Sequence, residues 1–131
     1  MQQERDYIQR EIQRLTLLLT KLIGKALELK TDDFEQGFHN IESDLKNEFD
    51  LTLSDISEME DSELSEKLDG LDEQHLEKLV ELIAHLVHNL EVAFRIKLAK
   101  KGIVMLDFLD ANSKTFSLNR IELRNKLLQQ L

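Results

Sequence analysis

The chain of 131 residues contains no cysteine, no proline and no tryptophan, and it has only four glycines and one tyrosine beside six phenylalanines. Without cysteine there can be no disulfide, no thiol nucleophile and no Cys-ligated zinc or iron–sulfur centre, which fits a reducing compartment. Proline is absent, and Gly24, Gly37, Gly70 and Gly102 stand far apart. The turn chemistry of all-β folds and the glycine loops that cradle phosphates are therefore both missing. No Gly-x-Ser-x-Gly occurs, and Ser54, Ser62, Ser113 and Ser117 fall in loops or at helix starts, where capping accounts for a hydroxyl. Lys21, Lys25 and Glu28 interrupt the most apolar stretch. Neither a signal peptide nor a membrane span is expected, and the expected location is the cytoplasm.

What is present is helix-forming. Hydrophobic residues make up 41% and charged residues 33% of a chain rich in Leu, Glu, Lys and Asp, enough for one domain that buries roughly two-thirds of its unfolded surface. The candidate strand pairs Leu22-Ile23 and Ile103-Val104 lie inside helical periodicity, so the expected class is all-α. The net charge of −9 is uneven: residues 1–30 carry +2, residues 31–81 carry −15 and residues 82–131 carry +4. An acidic middle argues against nucleic acid and anionic membranes as partners and favours basic partners or pairing with the flanks.

Ile8, Ile12, Leu15, Leu19, Leu22, Ala26 and Leu29 recur at alternating steps of four and three, the spacing of one apolar helical seam. Leu18, Ile23 and Leu27 widen it and Leu17 falls opposite, so the spacing predicts a long central helix over 5–29, apolar most of the way round from residue 15. Met1 to Glu4 reads as a frayed polar lead-in. Gly24, costly inside a helix, suggests close approach by another helix.

An acidic helical middle, 32–70, follows. Asp32 and Glu35 read as a capping box for a helix at about 33–48, with Phe34, Phe38, Ile41, Leu45 and Phe49 on its core stripe. Thr52 with Asp55 caps a short helix, Leu51 stapling onto Ile56, and a second short piece spans about 62–68. This thinly apolar region is expected to be the least buried.

Residues 72–131 read as an α-hairpin stack. Asp72 starts a helix with Leu76, Leu79, Val80, Ile83, Leu86, Val87 and Leu90 inward. A turn near 88–91 is expected to separate it from a helix at about 91–111, because a single helix of some 40 residues would be far longer than is usual. Ser117 caps the last helix, 118 to about 130, stapled by Phe116 and Ile121. Ile121, Leu127, Leu128 and Leu131 are its expected packing residues, with Arg120, Arg124 and Lys126 facing outward. The whole is a single domain, 1–131, a compact bundle of about five main helices.

The one candidate metal constellation is Glu77, Glu81, His85 and His88, spaced four, four and three so as to share a helix face. That face lies opposite the apolar stripe and is expected to project into water, and the Glu-x-x-His pair of di-iron bundles does not occur. No metal, cofactor or catalytic residue is expected. Arg95, Lys97, Lys100 and Lys101 form the densest basic cluster, too narrow for nucleic acid and expected to pair with the acidic middle.

Two segments together, RDYIQREIQRLTLLLTKLIGKAL near the N-terminus and LAKKGIVMLDFLDANSKTFSLNR near the C-terminus, resemble a family of small uncharacterised bacterial helical proteins. The C-terminal half of that family looks like a tetratricopeptide-type helix pair. The resemblance implies an α-hairpin stack and brings no activity or catalytic residue. The expected function is a non-enzymatic protein–protein interaction or scaffold module, with a homodimer formed through the uncovered part of the first helix: Leu17, Leu18, Gly24 and Leu27. The alternatives are a metal-dependent helical-bundle enzyme using Glu77, Glu81, His85 and His88, and an acidic regulator that binds a basic partner through residues 50–70.

Overall fold

The computed structural model describes residues 2–131, with side chains from Glu4 onward. Seven α-helices are found among the described residues and no strand. They are α1 (Gln2–Glu28), α2 (Phe34–Phe49), α3 (Leu53–Glu58), α4 (Asp61–Asp69), α5 (Glu73–Leu86), α6 (Val92–Asn112) and α7 (Leu118–Leu128), with 3-10 turns at Thr31–Asp33 and Val87–Asn89. Of the frayed lead-in expected over Met1–Glu4, Met1 lies outside the described residues, and from Gln2 on the chain is already helical.

The ends of these helices follow from side chains that satisfy free backbone groups. Asp72 Oδ1 accepts from the Gln74 N–H at 2.9 Å and so starts α5. Thr52 and Asp55 cap α3 reciprocally, at 3.0 and 3.1 Å. The turn expected near 88–91 is present: Val87–Asn89 is a 3-10 turn, and Glu91 accepts from the Ala93 and Phe94 N–H groups to open α6. The start of α2 differs from expectation. Asp33, not Asp32, is its N-cap, and Asp33 Oδ1 instead accepts from the Lys30 N–H at 2.8 Å, which closes the preceding 3-10 turn. That helix ends at Asp50, whose φ of 52° is left-handed and whose N–H donates to the Lys46 carbonyl.

The centre of the molecule is α5. It packs between α1 and α6, with α7 against both α5 and α6, α3 and α4 on α6, and α2 on α1. His75, Leu76, Leu79, Val80, Leu82, Ile83 and Leu86 are all buried, and each large aliphatic side chain among them stabilises the fold by roughly 1.5–3 kcal/mol relative to exposure. The expectation that α1 is central and apolar nearly all round is corrected. Leu19, Leu22, Ile23 and Ala26 are buried, but Leu17 is 70% and Leu27 64% exposed, and Ile8, on the seam itself, is 57% exposed. One side of α1 meets α5 and α2, and among the described residues nothing covers Leu17 and Leu27 on the other.

The acidic middle is not loosely attached. Leu51, Leu53, Ile56, Leu64 and Leu68 are buried, and Glu42 of α2 accepts from the Leu53 and Ser54 N–H groups at 2.7 and 3.1 Å. Phe38 meets Phe94 edge-on at 5.9 Å, joining α2 to α6. Few apolar residues suffice here because α3 and α4 both pack on α6 and bury theirs.

Candidate interaction surfaces

Helix α7 presents Arg120, Leu123 and Leu127 at steps of three and four, which places all three on the face toward α5 and α6. The two leucines fill the core, and Gly102 on α6 makes room: a Cβ there would lie 2.7 Å from Leu127 Cδ1. The arginine follows them in. Arg120 is only 5% exposed, which corrects its expected outward placement, and Ile121, Leu128 and Leu131, expected in the core, are exposed.

A guanidinium can be buried there because all of its edges find acceptors. Nε donates to Glu77 Oε1 at 2.7 Å, Nη1 to Asp110 Oδ1 at 3.1 Å, and Nη2 to Ser113 Oγ at 3.1 Å and the Thr115 carbonyl at 3.3 Å. Glu73 lies 3.5 Å away and itself accepts from the Ser113 hydroxyl at 2.5 Å. The Glu77 carboxylate raises the Arg120 pKa above its ordinary value, outweighing burial, and Asp110 adds to it. Alongside, Arg124 pairs with Asp107 at 2.8 Å and Asp110 at 3.0 Å. This cluster fastens the 113–117 loop to α5 and α6, and it leaves Phe116, 78% exposed, together with Leu118 and Ile121, facing outward. The staple expected between Phe116 and Ile121 therefore does not close against the core.

The metal constellation is taken apart by the same helix. Glu77 is held by Arg120 and by the Asn119 amide at 3.3 Å. His85 is half-buried, and its pKa is lowered by burial and then by Lys126 of α7, against a smaller opposing effect of Glu81. This face of α5 lies beside α7, which corrects its expected projection into water; His88, in the 3-10 turn, is exposed. Among the described residues no group of three or more His, Asp or Glu side chains is arranged to hold a metal ion.

Of the basic cluster on α6, Lys97 pairs with Glu58 at 3.1 Å and Lys101 with Asp61 at 2.6 Å, so these two do reach the acidic middle as expected. Arg95 is half-buried, and its Nε has no hydrogen-bond partner among the described residues.

On α1 the four interface candidates separate. Leu18 is half-buried and packs against the core. Leu17, Gly24 and Leu27 remain on the uncovered side, together with exposed Thr20. Nothing lies within 4 Å of where a Gly24 Cβ would be, so the close helix approach expected there is not made within the chain.

The local signal for the Arg120 cluster is the step of three from Arg120 to Leu123 and of four to Leu127, which sets the arginine on the buried face. Glu73, Asp110, Ser113 and Thr115 join the cluster from other elements and carry no local signal. None of the described helices is long and apolar enough to cross a membrane. No protein-family model, no curated protein and no solved structure matches the chain significantly.

Proposed function

We propose that this chain is a non-enzymatic protein–protein interaction or scaffold module that pairs with a second copy through the outer face of α1. In this reading α5, α6 and α7, which pack on one another, form a tetratricopeptide-like α-hairpin stack, with α1 and α2 as the layer that covers it. The observation that carries the proposal is the apolar surface left on α1, where Leu17 and Leu27 stand 70% and 64% exposed on either side of Thr20 and Gly24. Water-exposed leucines in one stripe on a long helix favour burial against another surface.

The spacing supports a two-fold pair. Leu17, Thr20, Gly24 and Leu27 follow one another at steps of three, four and three, a pattern that reads the same in both directions. Two antiparallel copies of α1 would set each Leu17 against the other copy's Leu27 and each Thr20 against its Gly24. That is a self-complementary contact of the kind a two-fold axis requires. The open space at Gly24 lets the two backbones come close.

Sedimentation over a wide concentration range tests this. The expected result is a dimer that dissociates to monomer in Leu17→Glu/Leu27→Glu with the helical content unchanged. A wild-type chain that stays monomeric at every concentration and retains no protein partner in affinity capture would overturn the reading.

A further inference from the structure

The part of α1 around Ile12 and Leu15 runs past the start of α5, and there the chain leaves an open groove of about 490 Å³. Its floor is apolar: Ile12 and Leu15 from α1, Phe49 from the end of α2 and Leu71 from the link into α5, all half-buried. His75 closes the inner end. Its Nε2–H donates to the Ile12 carbonyl at 2.9 Å and its ring meets Phe49 edge-on at 5.8 Å, which holds the two walls in place. Ile8, one turn before Ile12 on the same seam and 57% exposed, carries the apolar line outward beyond the groove. Ile8, Ile12 and Leu15 thus offer a ridge about 10 Å long, the length of two helical turns.

The rim has one sign of charge. Glu48, Asp69 and Asp72 line it, and no Lys or Arg does. Glu48 is held by Arg14 at 2.9 Å and Asp72 caps α5, whereas Asp69 makes no ion pair with any described residue. All three of these acids belong to the segment 31–81 and its −15 charge, whereas α1 contributes Ile12 and Leu15 to the floor.

From this charge complementarity we infer that the groove docks an amphipathic helix of a partner protein, whose apolar ridge at i, i+3 or i+4, and i+7 is bordered by Lys or Arg. The inference rests on the interaction-module reading and names the partner class for one surface of it. Apolar side chains at that spacing fill the floor over Ile12, Leu15, Phe49 and Leu71, and flanking cations meet Asp69 and its neighbours. This is the helix-in-groove mode, with charge selecting the partner.

The test is fluorescence anisotropy of the full chain with a labelled 18-residue peptide of leucine and lysine patterned as an amphipathic helix, beside a counterpart with glutamate for lysine. Saturable binding of the lysine peptide alone is expected. It should weaken at least tenfold in Ile8→Lys/Asp69→Lys, two exposed positions whose substitution leaves the circular dichroism spectrum unchanged. Leu118→Lys/Glu122→Lys, the same change of charge placed on α7, should bind as wild type. No binding by wild type, equal loss in both double variants, or no loss in the first overturns the inference, as does self-association abolished by Ile8→Lys/Asp69→Lys, which would make a second copy the occupant. If the peptide fails while Leu17→Glu/Leu27→Glu still dissociates a dimer, the groove alone is refuted and the interaction module stands.

Discussion

Arg120 and His85 both lie between α5 and α7, and their surroundings give opposite consequences for stability. Removing Arg120 leaves Glu73, Glu77 and Asp110 facing one another beneath α7 with their shared cation gone. Arg120→Ala is expected to cost on the order of 2 kcal/mol in urea unfolding. That is less than for a fully buried pair, because Glu73 and Asp110 remain about half exposed to water. Arg120→Lys should recover little of the loss, since one ammonium cannot span acceptors on three elements. At His85 the folded pKa lies below its ordinary 6.5, through burial first and Lys126 second. The unfolded chain therefore takes up the proton at a higher pH than the folded one. The stability contributed by neutral His85 is present above about pH 6.5 and lost as pH falls through the lower folded value. Thermal unfolding followed from pH 7.5 to 5 should show a shallower loss in His85→Gln than in wild type.

Among the helices, two glycines in similar helical settings are expected to respond in opposite directions. Gly24 in α1 has open space where a Cβ would go, so Gly24→Ala should stabilise the monomer by up to about 1 kcal/mol through helix propensity. Gly102 in α6 lies against buried Leu127, and Gly102→Ala must push that side chain aside. The overpacking cost of about 1–3 kcal/mol should outweigh the propensity gain and destabilise the protein. Chemical denaturation of dilute samples compares the two. Helix positions and caps were largely legible from local signals, as Thr52, Asp72 and Ser117 show, because a cap depends on residues within one turn of it. Which side of a helix would be covered was less legible. Leu17 and Ile121 are as apolar as Leu22 and Leu123, yet the first two are exposed and the second two buried. Periodicity places residues on a face without saying how many neighbours that face will meet.

Across the whole molecule, the acidic middle is expected to unfold with the rest, since α3 and α4 bury Leu53, Ile56, Leu64 and Leu68 on the body. Native-state hydrogen exchange should show amides within α3 and α4 protected to nearly the free energy of global unfolding, while those of residues 4–10, exposed at the overhanging end of α1, exchange through local fraying. Early exchange throughout 53–69 would show instead that this segment opens on its own. The exposed pair Lys97–Glu58 should contribute little beside those leucines. The all-helical class and the break between α5 and α6 were determined by the sequence alone, because composition, periodicity and capping act over a few residues. The tertiary structure decided that α5 and not α1 is enclosed, that Arg120 is buried, that Glu77 is engaged by an arginine, and that an acid-rimmed groove opens beside Ile12. Each of these depends on which distant helix lies against a given face, a choice made by packing residues that are 40 or more positions apart in the chain.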